Sequence, residues 1–158
     1  MDKQQFTEQI MALEQTLDCI ARTYLHSPHD CADVVQETVL RAWKNRHTLR
    51  NEAYFKTWVV RILINQCKNL YRRRQRTVPV AEVPMAQAGA DTADFALRDA
   101  VMALDLMYRV PFVLHYVEGY ATKEIAQILG LPKGTVLSRL KRARDLLQKS
   151  CCEEVCQR

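Results

Sequence analysis

TKEIAQILGLPKGTVLSRLK, residues Thr122 to Lys141, is the stretch whose reading decides the fold of the second half of this chain. Ala126, Gly130 and Val136 hold the three most constrained places of a helix-turn-helix. Ala126 is small where two helices cross closely, Gly130 can take the left-handed conformation that ends the first helix, and Val136 anchors the second helix on the first. Ile125, Leu129 and Leu131 are expected to complete the small core. In the second helix Val136, Leu140, Ala143 and Leu147 recur at inward spacing. That leaves Lys133, Thr135, Ser138, Arg139 and Arg142 outward, able to reach bases and phosphates in a major groove. A generic amphipathic hairpin with a basic surface meets the same spacing by chance, but here cap, turn, core and basic face agree.

Outward from this motif, composition points the same way. With Gly 4 and Pro 5 in 158 residues, turn formers are scarce. Leu, Ala, Gln, Glu, Lys and Arg are plentiful, so the chain is expected to be all-α. Residues 77–93, TVPVAEVPMAQAGADTA, hold Pro79, Pro84 and Gly89 without an aromatic residue or a sustained period. They read as a flexible linker between two small helical domains, 1–76 and 94–150. The second domain should start near Asp94, with Leu97, Val101, Leu104 and Tyr108 on one face. Pro111 suits the first turn of the next helix and Gly119 its C-terminal cap.

In the first domain Phe6, Ile10, Leu13, Leu17, Ile20 and Tyr24 alternate at spacings of four and three, drawing one apolar stripe down a helix. Ser27-Pro28-His29-Asp30 stops it, and Asp30 can cap a second helix running to about Lys44. Cys31, Val35, Val39, Ala42 and Trp43 are the expected buried face of that helix. Asp33, Gln36, Glu37, Leu40, Arg41 and Lys44 share another. Leu40 there is either a stray leucine on a solvated face or part of a docking surface. A long helix then starts near Ala53 and ends in Arg72-Arg73-Arg74-Gln75-Arg76, with Phe55, Val59, Ile62 and Leu63 inward. Trp58, Arg61, Asn65, Lys68 and Arg72 form a second face that mixes an aromatic ring, an amide and cations. Single-stranded nucleic acid suits such a face, since bases stack on rings and phosphates pair with cations. A buried Trp58 beside an exposed basic helix end accounts for the pattern equally well.

The formal charge of +5 is unevenly spread. Residues 1–76 carry 13 basic against 8 acidic side chains, and residues 95–158 carry 10 against 7, flanking a stretch with three acids. Two basic blocks favour a polyanionic partner. No apolar run approaches the length of a membrane span and the first residues have no signal-peptide character, so the chain is expected to work in the cytosol without inserting in a membrane. Cys19, Cys31 and Cys67 lie in helical patterns and read as small core or boundary residues. Cys151, Cys152 and Cys156 cluster in the tail 151–158, where C-C-x3-C is a poor zinc pattern; structural or incidental thiols are set against redox sensing or metal binding. No cofactor motif, phosphate loop or catalytic pair is present, so neither an enzyme activity nor a bound metal is expected.

Taken together, the two halves resemble sigma factors of the extracytoplasmic-function type. DCADVVQETVLRAWKN, Asp30 to Asn45, looks like that family's polymerase-binding helix. The resemblance implies contacts to core RNA polymerase from Asp33, Gln36, Glu37, Leu40 and Arg41. YFKTWVVRILINQCKNLYRRRQR, Tyr54 to Arg76, resembles the helix that melts and reads the minus-ten element, with Trp58, Arg61, Asn65, Lys68 and Arg72 near the unpaired strand. The loop from Asn45 to Ala53 is then the place that receives a flipped base. The C-terminal stretch resembles the domain reading the minus-thirty-five element, through Lys133, Thr135, Ser138, Arg139 and Arg142. Ala121 stands where the family usually has a capping serine, so Thr122 is expected to take over and shift the helix start by one residue. Leu137 stands where lysine is frequent, which removes one possible phosphate contact. The implied partners are core RNA polymerase, promoter DNA and an anti-sigma protein, often membrane-anchored in this family. The rival reading is a conventional dimeric helix-turn-helix regulator that binds a palindrome and needs no polymerase.

Overall fold

The computed structural model describes residues 1–76 and 92–156. Every regular element among them is helical, as the composition leads one to expect, and the chain divides into two compact units, Met1–Val83 and Pro84–Arg158. Residues 77–91, most of the stretch read as linker, lie outside the described residues. No described helix is long and apolar enough to cross a membrane.

The first unit is three helices in mutual contact: α1 (Lys3–Tyr24), α2 (Pro28–Asn45) and α3 (Phe55–Arg76). Asp2 opens α1 with a reciprocal cap, in which its carboxylate accepts from the Gln5 amide at 2.9 Å and the Gln5 side chain accepts from the Asp2 amide at 3.1 Å. Ser27, not Asp30, caps α2: its hydroxyl oxygen accepts from the Asp30 amide at 3.4 Å. The reason is Pro28, which lacks an amide and carries the φ of a first helical residue, so the cap falls to the residue before it. Asp30, freed from capping, accepts from the Arg74 guanidinium at 2.7 Å and ties the first turn of α2 to the last turn of α3.

The core of this unit holds Phe6, Leu13, Leu17, Ile20 and Tyr24 from α1, with Ile10 half-buried at its margin. On α2 the buried line is Cys31, Val34, Thr38 and Ala42, whereas Val35, Val39 and Trp43 are half-buried. The expected face was rotated because a polar residue is hidden in it. Thr38 is fully buried, and its hydroxyl donates to the Val34 carbonyl at 2.7 Å, which satisfies the group without a partner from another helix. On α3 Phe55, Val59 and Leu63 are buried as expected; Val60, Ile64 and Cys67 join them, and Ile62 is half-buried. Because α3 packs on both α1 and α2, its inward arc is wider than one stripe.

Burial pushes the Cys31 thiol up to about 11 and the Cys67 thiol up to about 12. Both therefore hold their protons more tightly in the folded chain than in the unfolded one. The stabilisation this provides is complete below the ordinary thiol range, about 8.5, and is lost as pH rises toward 11 to 12. Alkylation of the native protein with iodoacetamide near pH 8 should modify the exposed Cys151 and Cys152 quickly and spare Cys31 and Cys67 until urea is added. Equal rates, read by peptide mass spectrometry, would contradict that difference.

The second unit comprises α4 (Thr92–Met102), α5 (Leu106–Phe112), a wide turn of π-helix (Val113–Val117), α6 (Thr122–Leu129) and α7 (Lys133–Cys156). Leu104, Ala143 and Leu147 form a core flanked by Val101, Tyr108, Phe112 and Leu146, but Leu97, expected on the same face as Val101, is half exposed to solvent. Pro111 lies inside α5 and not in a first turn. A proline offers no amide and its ring crowds the preceding carbonyls, and the ladder widens directly after it, the Glu118 amide reaching the Val113 carbonyl at 3.0 Å. The Arg109 side chain donates to the Met102 and Leu104 carbonyls at 2.7 and 2.8 Å, satisfying acceptors left open at the end of α4. Gly119, at φ +74, turns the chain out of the π-helical segment as expected of a C-terminal glycine. α7 is one helix of 24 residues, so the cysteines from position 151 continue the same helix.

Candidate functional site

The turn of the helix-turn-helix is set by Gly130 at φ +66, a backbone conformation that costs glycine little, and the Leu131 amide closes it on the Ala126 carbonyl at 3.0 Å. Ala121 keeps the N-cap position of α6, contrary to the expectation that Thr122 would take it. Alanine has no oxygen to offer, but Glu124 reaches back to accept from the Ala121 amide at 2.8 Å, and this half of a capping box holds the helix start in register. Ile125 and Ile128 supply the fully buried contacts, while Leu129 and Leu131 are half-buried. Ile128 follows Ile125 by three residues and so points inward with it; its neighbour Leu129 is carried to the margin.

On α7 Val136, Leu140, Ala143 and Leu147 are buried. Of the candidate readers, Lys133, Ser138 and Arg142 are exposed and Thr135 and Arg139 are half-buried. Ser138 donates its hydroxyl proton to the Gly134 carbonyl at 2.7 Å, which leaves its oxygen able to accept. Leu137 is exposed in the same surface.

On α3 Arg61, Asn65 and Arg72 are exposed, and Trp58 and Lys68 are half-buried. Trp58 is braced from one side. Its ring lies 6.1 Å from Phe55, Phe55 lies 5.7 Å from Phe6, Phe6 lies 5.1 Å from Trp43, and the Arg46 guanidinium sits 3.8 Å over the Trp43 ring. This aromatic row joins the end of α2 to the start of α3 and so holds both ends of the intervening loop. The mixed face also begins one turn earlier than the sequence reading placed it: Tyr54, four residues before Trp58, is 59% exposed. Tyr54 falls inside the helix expected from near Ala53 onward, and the alternating four-and-three spacing of Trp58, Arg61, Asn65, Lys68 and Arg72 extends back to it; the short turn Glu52–Tyr54, capped by Asn51, presents it on that face. At the far end Asn69, Arg72, Arg73 and Arg76 line a shallow basic depression.

On α2 Asp33, Gln36, Glu37, Leu40 and Arg41 are all exposed. Asp33 lies 3.4 Å from the His29 ring, and Glu37 accepts from Arg41 at 2.6 Å. With its amide oxygen turned toward Arg41, Gln66 of α3 accepts from the same guanidinium at 2.9 Å. Arg41 is thus engaged inside the unit, and Leu40 stands 54% exposed among the polar side chains. At the tail, Cys151 and Cys152 are exposed free thiols, the Cys156 side chain lies outside the described residues, and no group of three or more metal-binding side chains is found among those described.

These surfaces fall within segments that match known families. The family Sigma-70 region 2 matches residues 10–77, and Sigma-70, region 4 matches residues 94–147. The chain is 31% identical to the ECF RNA polymerase sigma factor SigM of Mycobacterium tuberculosis over 153 residues, which cover 94% of this chain and 78% of that protein. It is 27% identical to the RNA polymerase sigma-H factor of Pseudomonas aeruginosa over 94% of this chain and 87% of that one. Among solved structures, CnrH in complex with the cytosolic domain of CnrY aligns with a TM-score of 0.72 and 26% identity over 94% of this chain and 88% of that chain. The sigma factor RpoE of Bartonella quintana, solved with the anti-sigma factor NepR, shares the fold at a TM-score of 0.79 and 24% identity over 93% of this chain and 96% of that one. With both sigma-70 regions present in order and near full-length similarity to SigM, the chain belongs to the ECF RNA polymerase sigma factors and directs transcription initiation.

Proposed function

We propose that three separate faces divide the work of initiation. Asp33, Gln36, Glu37, Leu40 and Arg41 on α2 dock on core RNA polymerase. Trp58, Arg61, Asn65, Lys68 and Arg72 on α3, extended by Tyr54, capture the unpaired minus-ten strand. Lys133, Thr135, Ser138, Arg139 and Arg142 on α7 bind the minus-thirty-five duplex. The observation that carries this division is the α3 face, where an aromatic ring braced on one side adjoins exposed Arg61, Asn65 and Arg72. A dimeric regulator of closed duplex has no use for such a face. Stacking and backbone contacts with the open strand offset the cost of unpairing, so opening requires no nucleotide hydrolysis by this chain and no cofactor. In this reading the protein acts in the cytosol beside the polymerase, and an anti-sigma protein holds it inactive; RpoE was solved in complex with the anti-sigma factor NepR.

Run-off transcription with purified core polymerase on genomic promoter fragments tests the assignment; no initiation on any fragment would overturn it. In the same system Arg139→Ala and Arg142→Ala should each weaken upstream duplex binding by about 1–3 kcal/mol if the residue reads a base. Unchanged affinity in both would move the duplex-reading surface off α7.

A further inference from the structure

Among the described residues of α7, Leu137 is the one large apolar side chain left exposed. Leu137 is 48% exposed, with Lys133 and Lys141 one turn to either side and Gly134 three residues before it. A lone exposed leucine is ordinary on a protein surface. Gly134 makes this one different. It lies within the helix at negative φ, and a Cβ placed on it would meet nothing within 4 Å, so neither backbone conformation nor internal packing calls for a glycine there. Glycine in an exposed helix is nonetheless less stable than alanine. Helical side chains lean toward the N-terminus, which lays Leu137 over the turn that contains Lys133 and Gly134. An apolar side chain therefore borders a bare strip of backbone, on a basic face and near the start of the helix, the end that enters a groove first.

We infer that Leu137 is a specificity-determining residue that packs against the C5-methyl group of a thymine in the upstream duplex, with Gly134 giving the base edge room to approach. The thymine methyl is the one apolar group that the bases present in the major groove, and an aliphatic side chain is its natural partner. A lysine paired with phosphate at this position would fix the helix on the backbone and read no methyl group. The inference rests on the reading of α7 as the helix that binds the minus-thirty-five duplex.

The experiment uses holoenzyme assembled from the full chain and core polymerase, with a promoter fragment that supports run-off transcription. Each upstream thymine is replaced in turn by deoxyuridine, which removes only the methyl group. One replacement should weaken binding of the unmodified protein about fourfold, the worth of one buried methyl group. Leu137→Ala should bind the thymine and deoxyuridine duplexes equally. Leu137→Lys should also lose the discrimination and show a steeper salt dependence. Gly134→Ala should raise thermal stability yet weaken duplex binding, a combination that a purely structural glycine would not give. If Leu137→Ala discriminates as the unmodified protein does, or if it loses polymerase association in place of methyl discrimination, the inference is overturned. Arg139→Ala and Arg142→Ala separate the two levels. Their full retention of duplex binding would sink the assignment of α7 together with this inference. Their loss of binding, with discrimination kept in Leu137→Ala, would sink this inference alone.

Discussion

Replacing Asp33, Gln36 and Glu37 together by alanine is expected to abolish association with core RNA polymerase while changing the unfolding free energy by less than about 1 kcal/mol. All three side chains are exposed, and their internal contacts are solvent-facing pairs: Asp33 with His29 at 3.4 Å and Glu37 with Arg41 at 2.6 Å. Surface pairs of this kind contribute about 0–1 kcal/mol each, and alanine's higher helix propensity offsets part of the loss. Arg41 keeps Gln66 as a partner, so no charge is left stranded. Association is different, because the three groups surround an exposed leucine and a partner that covers Leu40 must also meet them. Size-exclusion co-elution with core polymerase, run beside circular dichroism of the variant, checks both halves. Normal co-elution would move the docking surface away from α2; a loss of helicity would make these residues structural.

The second large effect is expected at Phe6. Phe6→Ala should destabilise the N-terminal unit by about 3–5 kcal/mol, the usual cost of removing a buried phenylalanine ring. Phe6 is 5% exposed and packs edge-on against Trp43 at 5.1 Å and Phe55 at 5.7 Å, so its removal opens a cavity between the end of α2 and the start of α3. A small helical domain has only about 5–15 kcal/mol of net stability to lose from. Urea unfolding of the full chain followed by tryptophan fluorescence reads the change, since Trp43 and Trp58 are the two tryptophans and both lie in this unit. Phe6→Leu should recover part of it. A change below about 1 kcal/mol for Phe6→Ala would mean that the ring row does not hold the unit together.

Local chemistry made several features legible from residues alone. The α1 stripe from Phe6 to Tyr24 and the α7 stripe from Val136 to Leu147 could be read because each helix buries a single face, and a single face has a simple period. Gly130 and Gly119 could be read because positive φ has a residue preference of its own. The misplacements have separate causes. Ser27 and Asp30 are both good capping residues, and only Pro28's place in the first turn decides for Ser27. Thr38 reads as a surface residue by hydropathy, which does not register that a bond to the Val34 carbonyl cancels its polarity. Propensity favours Pro111 in a first turn, yet tertiary packing buries it inside α5 and the π turn absorbs the cost.

By itself, then, the sequence determined the all-helical class, the helix-turn-helix with its glycine turn, and the residue types on each candidate face, because these depend on spacing and local backbone preference. Only the tertiary structure decided which half of each stripe is covered. It braced Trp58 through Phe55 while leaving Tyr54 in solvent, drew Arg41 toward Gln66 beside an open Leu40, and bound Arg74 to Asp30 at 2.7 Å. Those outcomes depend on contacts between residues far apart in the chain, and the period of a single helix carries no information about which neighbour arrives to cover it.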